Sequence, residues 1–285
     1  MDDAAPDAST PWWGTFALDE GQGGRWTLGP SVLWVYRGRQ DWRVVHRPST
    51  AATTADPLAH HTDVTVPASE AEMDAALSAD EDTHDTSRYS VRRTAGHIRV
   101  QPVLADRPVV SRPEHPLYVP EGESVTLYLS SALWVQVAQA DEERVLWEGA
   151  SHRMSDTWFG ASTVQGELCY ATRTVGRLRL DRLPRRLHRA VTPLRVQNRA
   201  QDALALERVQ LPVPHLSLYR TADDRLWTNR VTMRHTKSGP GASVHVTEGP
   251  PDMIETAEQV QEPREADRKS LVTSTFSAFE ALFGP

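Results

Sequence analysis

Ser124-Val125-Thr126-Leu127-Tyr128-Leu129-Ser130-Ser131-Ala132-Leu133-Trp134-Val135-Gln136-Val137 is the stretch that decides the fold class. Val125, Leu127 and Leu129 share one face of an extended chain, and Leu133, Val135 and Val137 repeat the arrangement. A period of two puts alternate side chains on one face of a strand. The turn Pro120-Glu121-Gly122 precedes this stretch. Working outward, the same signal recurs. Upstream lie Trp26, Leu28, Val32, Trp34, Tyr36, Trp42 and Val44, punctuated by Gly29-Pro30 and Gly38, then Ile98 and Val100. Downstream come Leu204 with Leu206, Leu216 with Leu218, Val231 with Met233, and Val244 with Val246. Short alternating runs separated by turns predict an all-β chain, an antiparallel β-sandwich. A length of 285 residues suits one large unit or two smaller ones.

Prolines 108, 113 and 116 suggest a division. The reading therefore places an N-terminal β unit over 12–110 and a C-terminal sandwich over 111–247. Ser-x-Leu-Trp-Val occurs at Ser31–Val35 and again at Ser131–Val135, which hints at two related units. Residues 48–87 break the pattern with Ala, Thr, Asp and Glu, and read as an acidic surface insertion dispensable for folding. Within it, Ser69-x-x-Glu72 predicts a capping box and a short helix. Residues 248–268 read as a disordered acidic linker. Residues 269–283 read as an amphipathic helix, because Val272, Phe276, Phe279 and Phe283 recur at helical spacing. So short a helix must dock somewhere, and self-association is one expectation.

Charge is unevenly placed. The total is −7. Residues 48–87 carry −9 and residues 248–268 carry −5, so the remainder carries +7. Nine arginines lie between Arg173 and Arg199 against the single acid Asp181. Arg177 and Arg179 alternate with Leu178 and Leu180 as on a strand face. Arg177, Arg179, Arg182, Arg185, Arg186 and Arg189 thus form a candidate basic surface for a protein partner or other polyanion. The stripe holds no aromatic residue on which bases would stack, so nucleic acid is the weaker expectation.

For chemistry, the densest polar stretch runs from His152 through Asp156 to Glu167 and Cys169. With His188 these are candidate acid, base and nucleophile positions, provided they converge. Each also has a structural reading: Ser155-Asp156-Thr157 as a turn, and Cys169 as a small buried hydrophobe. One cysteine excludes an intramolecular disulfide, and the eleven histidines form no metal motif; His60-His61-Thr62-Asp63 comes nearest. No metal or other cofactor is expected. No apolar run is long enough to span a membrane. With the acidic start and the single thiol, this gives the expectation of a cytoplasmic protein without a secretory leader.

Several phrases together resemble an uncharacterised prokaryotic family, domain of unknown function 432. They are Trp26-Thr27-Leu28-Gly29-Pro30, Asp106-Arg107-Pro108-Val109-Val110, Ser155-Asp156-Thr157-Trp158-Phe159-Gly160, Gly166-Glu167-Leu168-Cys169-Tyr170, His188-Arg189-Ala190-Val191-Thr192-Pro193 and Leu211-Pro212-Val213-Pro214. The resemblance covers most of residues 12–246. It implies no catalytic residue, and by gene neighbourhood it implies an accessory role beside small-conductance-type mechanosensitive channels. The resulting expectation is a non-catalytic binding or accessory module. The alternative is a hydrolase-like enzyme built around His152–Cys169.

Overall fold

The computed structural model describes residues 11–48, 62–79, 84–152, 154–160, 166–236, 242–266 and 271–273. The fold is mostly β, with several antiparallel sheets in a sandwich-like arrangement. In chain order the elements are β1 (Gly14–Ala17), β2 (Gly23–Leu28), β3 (Ser31–Arg37), β4 (Asp41–Arg47), β5 (Thr62–Thr65), α1 (Glu70–Leu77), β6 (Asp85–Ser90) and β7 (His97–Val103). There follow β8 (Val109–Pro113), β9 (Leu117–Val119), β10 (Ser124–Ala132), β11 (Trp134–Gln139), β12 (Arg144–Ala150), β13 (Ser155–Phe159) and β14 (Glu167–Gly176). The last are β15 (Arg189–Asn198), β16 (Leu204–Leu206), β17 (Val209–Leu211), β18 (Leu218–Thr221), β19 (Leu226–Thr228), β20 (Val231–His235), β21 (Ala242–Val246), β22 (Ala257–Gln261) and β23 (Leu271–Thr273).

Two compact units share these elements, and each is discontinuous. One comprises residues 1–102 and 134–153, the other 103–133 and 154–285. In the first unit a five-stranded sheet, β5-β2-β3-β4-β6, accompanies a four-stranded sheet, β1-β7-β11-β12. Ring contacts join the two sheets: Phe16 of β1 meets Trp26 of β2 edge-on at 5.2 Å, and Trp147 of β12 meets His46 of β4 at 4.9 Å. Trp26 and Trp42 are fully buried.

β3 reads Ser-Val-Leu-Trp-Val-Tyr-Arg, almost continuously apolar, because both of its faces are covered. Val32 and Trp34 pack with Val45 against Met73 and Ala76 of α1, while Leu33 and Val35 are buried on the opposite face. The capping box forms: Glu72 N donates to Ser69 Oγ at 3.3 Å, and Ser69 N donates to Glu72 Oε2 at 3.4 Å. The expectation of a dispensable insertion is thus corrected in part. Its composition is acidic, but Met73 and Ala76 are few and sufficient to close one face of the sheet. His60 and His61 lie outside the described residues.

The second unit holds a sheet ordered β22-β18-β19-β15-β20-β21-β23, with β10 also paired to β15. It also holds the sheet β13-β14-β8-β17 and the two-stranded antiparallel pair β16-β9, whose strands lie far apart in the chain. Among the described residues, parallel pairings join β14 to β8, and β15 to both β19 and β20. Buried amides fix the connections. Asn198 donates to the carbonyls of Val119 and Asp202 at 2.8 and 2.7 Å, and Asn229 donates to those of Thr247 and Gly249, each at 3.0 Å.

Three further expectations change. Part of the segment read as a disordered linker is a strand, since β22 pairs with β18, and Gln261 Oε1 accepts from Leu104 N at 2.7 Å. Leu271–Thr273 pairs with β21, so the segment read as a C-terminal helix begins as a strand through Val272. Phe276, Phe279 and Phe283 lie outside the described residues. The two Ser-x-Leu-Trp-Val phrases also differ: the first lies within β3, whereas the second straddles the end of β10 and the start of β11.

Candidate functional site

Strand β14 stops at Gly176. Arg177 is held by an isolated bridge, with Tyr128 N donating to Arg177 O at 2.7 Å and Arg177 N to Tyr128 O at 3.0 Å. Beyond it the chain turns through a 3-10 segment, Leu180–Arg182. Arg177 and Arg179 therefore do not share a strand face, which corrects the alternation read from the sequence. The turn exposes Leu178, at 56%. Arg177 forms an ion pair with Glu114, and Glu114 N donates to Gly176 O at 2.9 Å. Arg179 forks onto Asp181, from Nε at 3.0 Å and Nη2 at 2.5 Å. That hydrogen bonding raises the Arg179 pKa and lowers that of Asp181. Arg182 makes no ion pair among the described residues.

These groups rim a cleft of about 250 Å³. One wall is Glu114-His115-Pro116 with Leu117 of β9, and the other is Gly176 to Arg179 with Arg182. Pro116, Leu117 and Leu178 make its apolar surface. Composition alone points to the arginines but not to the facing wall, whose signal in the sequence is the cluster of Pro113 and Pro116. Of the other stripe residues, Arg185 donates to the Asp223 carbonyl and lies 3.9 Å from its carboxylate. Arg186 and Arg189 are buried and leave the surface set. The Arg189 guanidinium serves inside the unit, donating to Ser130 and Thr174.

The candidate chemical residues are dispersed. In the β13–β14 register Thr157 faces Cys169 and Phe159 faces Glu167, while Asp156 faces Tyr170. Glu167 and Cys169 therefore share one face, where Gln210 Nε2 donates to Glu167 Oε2 at 2.6 Å and to Cys169 Sγ at 3.4 Å. Asp156 lies on the opposite face, 3.3 Å from Arg107 Nη1. Burial pushes the Cys169 thiol up to about 12, with the Glu167 charge adding to the rise. A thiol this hard to ionise is a poor nucleophile. His188 is buried ahead of β15, its carbonyl accepting from Leu133 N at 3.3 Å. His152 is buried in the first unit. Among the described residues no group of three or more His, Cys, Asp or Glu side chains is placed to hold a metal ion. No helix among them is long and apolar enough to cross a membrane.

The fold is that of a mostly β protein, and the cleft is arginine-rimmed and partly apolar. The family described as Protein of unknown function (DUF432) matches residues 12–280, and the chain belongs to it. No curated protein and no solved structure matches the chain.

Proposed function

We propose that this protein is a binding or accessory module that holds an anionic segment of a protein partner in the Arg177–Arg182 cleft. The supporting observation is the composition of that cleft: three guanidinium groups around an apolar surface that includes exposed Leu178. Surface ion pairs are worth only about 0–1 kcal/mol. Incoming carboxylates can therefore replace Asp181 and Glu114 on guanidinium groups already oriented by them. Arg182 offers a third position. Planar guanidinium groups suit bidentate carboxylate recognition, and the apolar surface suits a neighbouring large side chain. An accessory role beside a membrane channel, which the family resemblance implies, fits such a surface. The separation of Asp156 from Glu167 and Cys169, and the raised thiol pKa, favour binding over hydrolysis.

The test is retention on an immobilised polyglutamate matrix across a salt gradient. Wild type should bind and elute early as salt rises, because exposed charges are screened beyond about 8 Å at physiological ionic strength. Arg179→Glu with Arg182→Glu should lose retention with an unchanged circular dichroism spectrum and melting temperature. Equal retention of the folded double variant would reject the cleft as the binding surface.

A further inference from the structure

We propose that Arg112 and Arg208 form a binding site for a phosphate group, with Thr157 as a third hydrogen-bond partner. The site shares no residue with the Arg177–Arg182 cleft and does not depend on it. Pairing register brings the two arginines together. β17 runs antiparallel to β8, with Val209 opposite Ser111 and Gln210 opposite Val110. One position further along, Arg208 comes beside Arg112. Members of such a cross-strand pair point to the same side of a sheet, and like charges placed there repel one another. The pair therefore costs stability unless an anion lies between the two groups.

No carboxylate of the chain fills that role among the described residues, where neither arginine forms an ion pair. Glu167 shares the face with Cys169, but Gln210 Nε2 donates to its carboxylate at 2.6 Å. Arg112 is exposed, whereas Arg208 is partly buried. Arg208 Nε has no hydrogen-bond partner among the described residues. Burial and the Arg112 charge both lower the Arg208 pKa.

The surroundings hold Arg208 in position. Its Cζ lies 5.3 Å from the centre of the Phe159 ring, and Nη2 donates to Thr157 Oγ1 at 3.3 Å. Thr157 sits on β13 and faces Cys169 of β14. In the order β13-β14-β8-β17 two strands separate Thr157 from β17. Flat strands at those positions would stand about 14 Å apart. The contact between Arg208 and Thr157 therefore draws the two ends of the sheet toward each other on the arginine face. Thr157 accepts from Arg208 and keeps its own O–H to donate.

Charge and geometry select phosphate. A phosphate monoester carries about −1.5 to −2 at neutral pH and balances both guanidinium groups. A carboxylate balances only one of them. Guanidinium forks fit pairs of phosphate oxygens, and a tetrahedral anion has a further oxygen to accept from Thr157.

Titration calorimetry of the full chain tests this, in chloride at fixed ionic strength, with inorganic phosphate and methyl phosphate as separate ligands. Wild type should bind saturably, and the ligand bound more tightly shows whether a free or an esterified phosphate is preferred. Arg112→Gln and Arg208→Gln should each weaken binding about tenfold or more, as loss of a hydrogen bond to a charged group does. Arg179→Glu with Arg182→Glu should bind as wild type does. Melting curves separate binding from folding. In chloride alone Arg112→Gln should melt at or above the wild-type temperature, because the repulsion is gone. Added phosphate should raise the melting temperature of wild type and leave that of Arg112→Gln unchanged. The inference is overturned by a lack of saturable binding with both ligands, or by unchanged affinity in either glutamine variant. It is equally overturned if Arg112→Gln melts lower than wild type in chloride, or if only the Arg179 and Arg182 variant loses binding.

Discussion

Arg189 and Ser130 are joined twice: the guanidinium donates from Nε to Ser130 Oγ at 2.9 Å and from Nη2 to the Ser130 carbonyl at 2.7 Å. Nη2 also reaches Thr174 Oγ1 at 3.1 Å, and Thr174 Oγ1 donates to the same Ser130 carbonyl at 2.5 Å. Ser130 belongs to β10, Arg189 to β15 and Thr174 to β14, so the knot ties two sheets of the second unit together. Burial and the nearby Arg186 draw the Arg189 pKa down to about 9, which leaves it charged at neutral pH.

Arg189→Lys should therefore be the more damaging of two substitutions. A lysine keeps a buried charge but cannot fork across three acceptors, and the loss should be about 2 kcal/mol or more. Arg189→Met removes the charge and leaves the Thr174–Ser130 bond, so it should cost less. Urea unfolding of both variants checks the order.

Met73 fixes α1 to the sheet. Met73→Ala should cost about 2–4 kcal/mol, the usual range for emptying a buried site. Gly23 lies beneath it: a Cβ there would stand 2.6 Å from Met73 Sδ. Gly23→Ala should cost about 1–2 kcal/mol by forcing the flexible thioether aside. Replacing residues 62–79 by a Gly/Ser linker should lower the melting temperature clearly. An unchanged melting curve would mean that the helix is not part of the core.

The first unit should weaken in acid through His46. Burial lowers its pKa to about 4, against an upward pull from Asp85. In the folded state its Nε2 lies 2.8 Å from Ser31 Oγ. The unfolded chain takes up the proton near pH 6.5, whereas the folded one resists until about pH 4. Stability from this group is therefore full above pH 6.5 and falls as pH drops toward 4, by at most about 3 kcal/mol. His46→Gln should flatten the stability profile across that window, as chemical denaturation at stepped pH would reveal.

Cys169 should be silent toward thiol reagents in the native protein. It is fully buried, packs with Val110 and Phe159, and has a pKa raised to about 12. Its alkylation rate at pH 8 should track global unfolding along a denaturant series. Fast labelling without denaturant would contradict the burial and reopen a nucleophilic role.

Periodicity of two, carried by Val125-x-Leu127-x-Leu129 and its counterparts, was enough to identify strands, because alternation records which face meets the core. The capping box at Ser69 and Glu72 was equally legible, since its two hydrogen bonds are local. The arginine-rich segment was visible as composition, but not its division into rim and interior. Arg177 and Arg189 look alike in sequence, yet one faces a cleft and the other a knot of neutral oxygens. Burial of an arginine depends on which distant strands supply acceptors, here those carrying Ser130 and Thr174. The β22 strand escaped notice for a related reason: its pairing with β18 uses backbone groups, which any residue supplies.

The sequence by itself determined that this chain is mostly β, where many strands lie, and that an arginine-rich stretch accompanies two acidic segments. Those properties follow from local alternation and summed charge. Only the tertiary structure decided that each unit draws on two separate stretches of the chain, that β8 and β14 run parallel, that Asp156 lies on the opposite face from Cys169, and that Glu114 to Leu117 complete the arginine cleft. Each of these depends on contacts between residues far apart in the chain, and side-chain alternation does not encode strand order.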